Sequence, residues 1–166
     1  VYWLLFSLLA IILCNYILCI LCSWSSIFTN FDEKRQNGEN DSYICQLIRQ
    51  DSLEDFKSHV SKHNLSLNSN IPKSIFETNR FLLSKKSVSL IEYAAFLGSL
   101  KIFHFLREKS ADLTPSLWLF SIHSQKIELI HFLKENNIKS NDETFYECYK
   151  EAIKCHHNQI AAYIEK

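Results

Sequence analysis

The sequence predicts an all-α chain: a solenoid of about four stacked helical hairpins, preceded by a long apolar helix. Three observations carry that expectation. The 166 residues include only two glycines and two prolines, a poor supply for the turns of a β architecture. Apolar residues recur at helical spacing, as at Leu100, Ile102, Phe103, Phe105 and Leu106, the pattern of an amphipathic helix. The pattern also returns along the chain. A shift of 27 residues carries Ile91, Gly98, Ile102 and Phe103 onto Trp118, Gln125, Leu129 and Ile130, and a further 31 carries Leu129 and Phe132 onto Ile160 and Tyr163. Backwards by 46, Ala94, Gly98, Ile102 and Leu106 fall on Ile48, Ser52, Phe56 and Val60. One hairpin cannot bury both of its apolar faces, so copies must lean on each other.

Val1 to Trp24 carries no charge, and the first acidic or basic residue is Asp32. Residues 1–31 are therefore assigned to an apolar helix. Its length exceeds the ~20 apolar residues that span a bilayer, and Trp3 and Trp24 lie where interfacial aromatics sit. A membrane anchor is the sharp reading. A signal peptide, which would have a basic start and a shorter apolar core, and a buried helix of an upstream helical region remain open, and Asn15 favours the latter. The charges of Asp32, Glu33, Lys34 and Arg35 cancel, which leaves orientation open. Because methionine is absent and the chain begins at Val1, a fragment or processed product is expected.

Residues 32–41, polar and holding Gly38, read as an exposed linker. The repeat domain is expected over 42–166, with units near 42–64, 89–110, 115–137 and 143–166 and an insertion at 65–88. In the first unit Asp51 is expected to cap the second helix, with Glu54 returning a bond. The insertion should hold a short helix near Phe76 and tuck Ile71, Ile75, Phe76, Phe81 and Leu82 onto the stack. Thr114 and Pro115 read as N-cap and first helical position. Asn137 suits the left-handed turn that ends the third unit's second helix. Trp118, in register with Ile91, reads as core.

Gly98 to Leu106, followed by Ser110, Ala111 and Asp112, resembles the second helix and exit turn of an ankyrin repeat, and Ile91, Ala94 and Ala95 match its first helix. The stretch from Tyr43 to Lys166, with SIFETN, LIEYAAFLGS, LTPSLW and IKCHH, is similar to the divergent ankyrin-like domain of unknown function found in large protein families of certain protists. The resemblance implies a protein-interaction scaffold with no assigned activity. Two departures matter. The usual Thr-Pro-Leu-His opening reads Ser89, Leu90, Ile91, Glu92 and then Ser116, Leu117, Trp118, Leu119, so its hydrogen-bond net is expected to be lost. A 27-residue unit also falls short of the ~33 of an ankyrin repeat, which implies tight turns in place of projecting hairpins.

Chemistry is sparse. Lysine plus arginine equals aspartate plus glutamate at 18 each, so no basic field marks a nucleic-acid partner. Cys148, Cys155, His156 and His157 are the most metal-like group, yet adjacent histidines diverge by about 100° on a helix, and no paired-ligand spacing is present. No metal and no cofactor are assigned. Glycine-framed nucleophile turns and phosphate loops are absent, so no catalytic residue is assigned and the chain reads as a non-enzyme. An enzyme using Cys155 with His156 is the residual alternative, beside a membrane protein whose repeats support the anchor. His123 and His131 read as surface or turn residues. Cys45, Cys148 and Cys155 show no disulfide framework, which suits a cytoplasmic repeat domain, tethered if residues 1–24 form an anchor. In ankyrin-like units the positions after the small pair face partners. Here these are Gln50, Phe96, His123 and Lys154, with Glu92 and Leu119 along the row, and they are expected to contact a protein partner of unstated identity.

Overall fold

The computed structural model describes residues 30–142 and 144–165. Among them every regular element is an α-helix. Of the apolar helix expected over 1–31, residues 1–29 lie outside those described, and Asn30 and Phe31 are the N-cap and first residue of a separate helix. No helix among the described residues is long and apolar enough to cross a membrane.

The chain divides into two units, 1–39 and 40–166. In the first, helix α1 (Phe31–Asn37) occupies most of the stretch read as a linker, which corrects that expectation. Asp32 and Glu33 lie in its first turn, Lys34 and Arg35 in its last. That order complements the helix dipole, a feature that composition alone hides. Gly38, at φ 64°, takes the left-handed cap and donates its amide to the Lys34 carbonyl.

The second unit holds α2 (Tyr43–Arg49), α3 (Leu53–His63), α4 (Arg80–Leu83), α5 (Leu90–Leu97), α6 (Leu100–Glu108), α7 (Leu117–His123), α8 (Ile127–Glu135), α9 (Tyr146–Lys154) and α10 (Asn158–Glu165). Apart from α4 these form helix pairs, and each pair turns through a left-handed residue: Asp51, Gly98, Gln125 and His156, at φ 49°, 71°, 60° and 58°. In three of the four the next amide reaches back five residues, Ser52 to Leu47 at 3.1 Å, Ser99 to Ala94 at 3.0 Å and His157 to Ala152 at 2.8 Å, whereas in the third pair the Lys126 amide donates to the Ser124 hydroxyl at 3.1 Å. The three are Schellman closures, which satisfy carbonyls left over at a helix end. The second helices end the same way. Asn64, Ser110 and Asn137 are left-handed, and Leu65, Ala111 and Ile138 donate to Val60, Leu106 and Leu133, each at 3.0 Å.

The first pair's offset needs correction. Its turn lies 47 residues before Gly98, at Asp51, so Phe56 matches Phe103, and both are fully buried. The offset of 46 fits only the exit turns, Asn64 and Ser110, because Asn64 lies 13 residues past its turn at Asp51 and Ser110 lies 12 past Gly98. Asp51 is not the N-cap of α3 either. Ser52 holds that place, its hydroxyl donating to Asp55 at 2.7 Å. The Asp51 carboxylate accepts instead from the amides of Lys101 and Ile102, at 3.1 and 3.0 Å, and caps α6 of the following pair. Ser99, the N-cap of α6, has turned its own hydroxyl to the Ile48 carbonyl at 2.5 Å.

Successive pairs meet in two rows. α2 packs on α5, α5 on α7 and α7 on α9, and the buried Ala94, Ser121 and Ala152 let these backbones approach. Along the second helices an aromatic ring at a recurring position meets a ring of the pair before it. Phe105 faces Phe56, Phe132 faces Phe103 and Tyr163 faces His131, with centroids 6.2, 5.4 and 4.8 Å apart. Arg107 and Lys134 cover Phe132 and Tyr163 from the preceding pair. Each aromatic contact is worth ~0.5–1.5 kcal/mol beyond its area. Fully buried Ile102, Phe103 and Leu106 add ~1.5–3 kcal/mol each, enough to hold helices too short to persist alone.

Three further expectations change. The opening net is present in another form. Ser89 and Glu92 make a reciprocal capping box, and the Ser116 hydroxyl donates to the same Glu92 carboxylate from the next pair. Helix α7 starts at Leu117 with Ser116 as N-cap, while Pro115 stays in the preceding turn, its carbonyl accepting from the Trp118 amide. In the insertion Phe76 is buried in a turn, and the helix lies later, at α4, where the Asn79 side chain accepts from the amides of Phe81 and Leu82. Phe76 and Leu82 are buried and Ile71 and Phe81 pack against the core, but Ile75 is 85% exposed. The Ser74 hydroxyl, accepting from the Phe76 amide and donating to Asp41, fixes a turn in which one neighbour points in and the other out.

Candidate functional site

The six residues expected to face a partner differ in exposure. Gln50 and Lys154 are exposed at the two ends of the row, whereas Glu92, Phe96, Leu119 and His123 are half-buried. Glu92 is held by Ser89 and Ser116, and Leu119 packs against the core. Phe81, from the insertion, lies over the middle of the row, stacked on Phe96 at 5.9 Å and tilted 38° against the His123 imidazole at 4.1 Å. Lys85 covers the Phe81 ring at 4.4 Å.

Around His123 the structure assembles a group that the sequence reading did not put together. Its Nε2 lies 3.1 Å from a carboxylate oxygen of Glu151, and the Cys155 sulfur lies 3.6 Å from Nδ1 and 4.0 Å from Nε2. The three ligand-type atoms fall within 4.8 Å of one another. Glu151 and Cys155 are four apart and so share a face at the end of α9. His123 ends α7, the neighbouring first helix. Register held a signal for this. His123 aligns with Lys154 under the 31-residue shift, and Lys154 stands between Glu151 and Cys155. The second carboxylate oxygen of Glu151 binds Lys154 at 3.1 Å, which raises that ammonium's pKa. Burial pulls the imidazole of His123 below its ordinary value, against the opposing pull of Glu151. Burial and then the Glu151 charge push the Cys155 thiol up.

The group singled out by sequence does not converge. Burial removes Cys148 from the surface and pushes its thiol to about 12. His156 is the exposed left-handed turn residue. His157 serves the stack, with Nδ1 2.7 Å from the Ile122 carbonyl and Nε2 2.7 Å from the side-chain nitrogen of Gln125. Cys45 is buried with its thiol raised to about 11. His131 is exposed and reaches the Tyr163 hydroxyl at 3.2 Å. Trp118 is buried at 3% exposure, donating its indole N–H to the Ile138 carbonyl at 2.6 Å. Beside it a groove of about 430 Å³ runs between Phe145, Tyr163, Ile164 and Lys134.

Among the described residues, then, this is an all-helical protein of successive helix pairs, with one half-buried His–Glu–Cys group at the junction of two of them. No protein-family model matches the chain, and no curated protein or solved structure matches it significantly.

Proposed function

We propose that residues 42–166 form an ankyrin-like solenoid that works as a non-catalytic protein-interaction scaffold. The observation that carries this reading is the recurrence of one turn geometry and one set of inter-pair bonds. The hydroxyl of Ser99 and the imidazole of His157, equivalent under the summed shifts of 27 and 31, both engage a carbonyl at the end of the preceding first helix, Ile48 and Ile122. Units related by a repeated translation present their turns as one extended surface, the feature that repeat proteins use for binding. Thiol chemistry favours the non-catalytic side. A nucleophilic cysteine needs a depressed pKa, whereas Cys45, Cys148 and Cys155 are all raised. Cys155 also faces His123 and not the His156 named for it in the enzyme alternative.

The test is site-specific photo-crosslinking in cells, with the reactive side chain placed at Gln50 or Lys154 in the full chain. Adducts to the same protein from both positions, and none from Glu128 on the far row, are expected. If neither position yields a protein adduct while the chain stays folded, the scaffold reading falls. A Cys155 labelled faster than a free thiol near neutral pH would restore the enzyme reading.

A further inference from the structure

We propose that His123, Glu151 and Cys155 bind one zinc-class divalent ion, which clips the third helix pair to the fourth. The fold already gathers the three ligand atoms within 4.8 Å of one another. With Zn–N and Zn–O bonds of ~2.0 Å and a Zn–S bond of ~2.3 Å, tetrahedral ligands lie about 3.3 Å apart for N and O and about 3.6 Å for N and S. The side chains stand at 3.1 Å for Nε2 to Oε1 and 4.0 Å for Nε2 to Sγ. The third edge, from the Glu151 oxygen to the Cys155 sulfur, is bounded only at 4.8 Å, and the sulfur lies nearer Nδ1, at 3.6 Å, so binding through Nε2 requires the Cys155 side chain to swing by about 1 Å toward it.

The donor set selects the metal. Imidazole with thiolate suits zinc and its neighbours, whereas magnesium and calcium want oxygen ligands alone. One thiolate and one carboxylate also neutralise a divalent ion, so the filled centre carries no net charge into a half-buried site. The surroundings hold the ligands in place. Phe81 and Phe96 flank the imidazole at 4.1 and 5.2 Å, Lys154 fixes the free oxygen of Glu151, and the Cys155 amide donates to the Glu151 carbonyl at 2.9 Å. Such outer contacts orient metal ligands. With three protein ligands the fourth position takes water. The site is independent of the scaffold reading, because it needs only the local packing of α7 on α9.

The experiment uses the full chain, reduced, in a mild detergent and without a histidine tag, titrated with zinc chloride and then with cobalt(II). One ion per chain is expected. The cobalt form should show the charge-transfer band of a metal thiolate together with ligand-field bands of four-coordinate intensity. Cys155→Ser should abolish the thiolate band and weaken zinc by at least the ~10–100-fold that an outer contact carries, and Glu151→Gln should weaken it while keeping the band. Cys148→Ser and His156→Ala serve as controls that retain full affinity, and helical circular dichroism verifies folding throughout. Absence of stoichiometric zinc, uptake that survives Cys155→Ser unchanged, or a thiolate band lost in Cys148→Ser would each overturn the proposal.

Discussion

Asp51 links two helix pairs through a single carboxylate, and its removal measures how much that link is worth. Its two oxygens accept from the amides of Lys101 and Ile102 at 3.1 and 3.0 Å. These amides lie in the first turn of α6, where no intrahelical partner exists. Substitution of a capping side chain by alanine costs ~1 kcal/mol and up to ~2. Asp51 also sits at φ 49°, where an ordinary residue carries ~1–2 kcal/mol of strain that aspartate tolerates better than alanine. Asp51→Ala should therefore lose about 2 kcal/mol. Asp51→Gly, which removes the cap but is at ease in the left-handed region, should lose about 1 kcal/mol, and Asp51→Asn, keeping one acceptor, less than that. Urea unfolding followed by helical circular dichroism gives these differences as midpoint shifts at constant slope. Hydrogen exchange at Lys101 and Ile102 should quicken in the alanine variant. Alanine and glycine variants both within ~0.5 kcal/mol of the parent, the range of an unengaged surface site, would refute the capping role.

Trp118→Phe keeps an aromatic ring against Phe145, now 4.8 Å away, but forfeits the indole bond to the Ile138 carbonyl at 2.6 Å. A loss of about 1–2 kcal/mol in thermal or urea unfolding is expected, and an unchanged midpoint would remove that bond from the account. His59 lies against Tyr43 and His63, with centroids 5.0 and 4.5 Å away, and burial, then the charges of His63 and Lys62, hold its pKa below the ordinary value. The folded state thus binds fewer protons there than the unfolded one. The contribution is present above the ordinary histidine pKa and is lost as pH falls through the folded value. His59→Gln should flatten the fall in stability between about pH 7 and pH 5. An NMR titration placing His59 above free histidine would contradict the sign.

Much of the local structure was readable before any coordinates. Asn137 after α8 is left-handed, at φ 54°, because asparagine tolerates that region and a helix end there needs it. The capping box at Ser89 and Glu92 was written plainly in the S-x-x-E order of its residues. Reading those positions through a Thr-Pro-Leu-His template hid it. The helix at Phe31–Asn37 was missed for a related reason. It has no buried residue, so periodicity of apolar residues is silent, and only the order of its charges speaks for it.

Helical periodicity and turn chemistry lie within a few residues of one another, so the chain by itself determined that its elements are helices and where many of them end. Which partner a polar group takes was decided elsewhere. Asp51 faced a local amide at the start of α3 and chose two amides 50 and 51 residues away. His123 and Cys155 lie 32 positions apart in the chain, with Glu151 between them, and the three meet only because α7 packs on α9. A hydrogen bond requires atoms within about 3 Å, and the lateral offset that brings distant side chains to that distance is set by how neighbouring pairs bury their apolar faces, a sum over the whole stack that no short stretch of sequence contains.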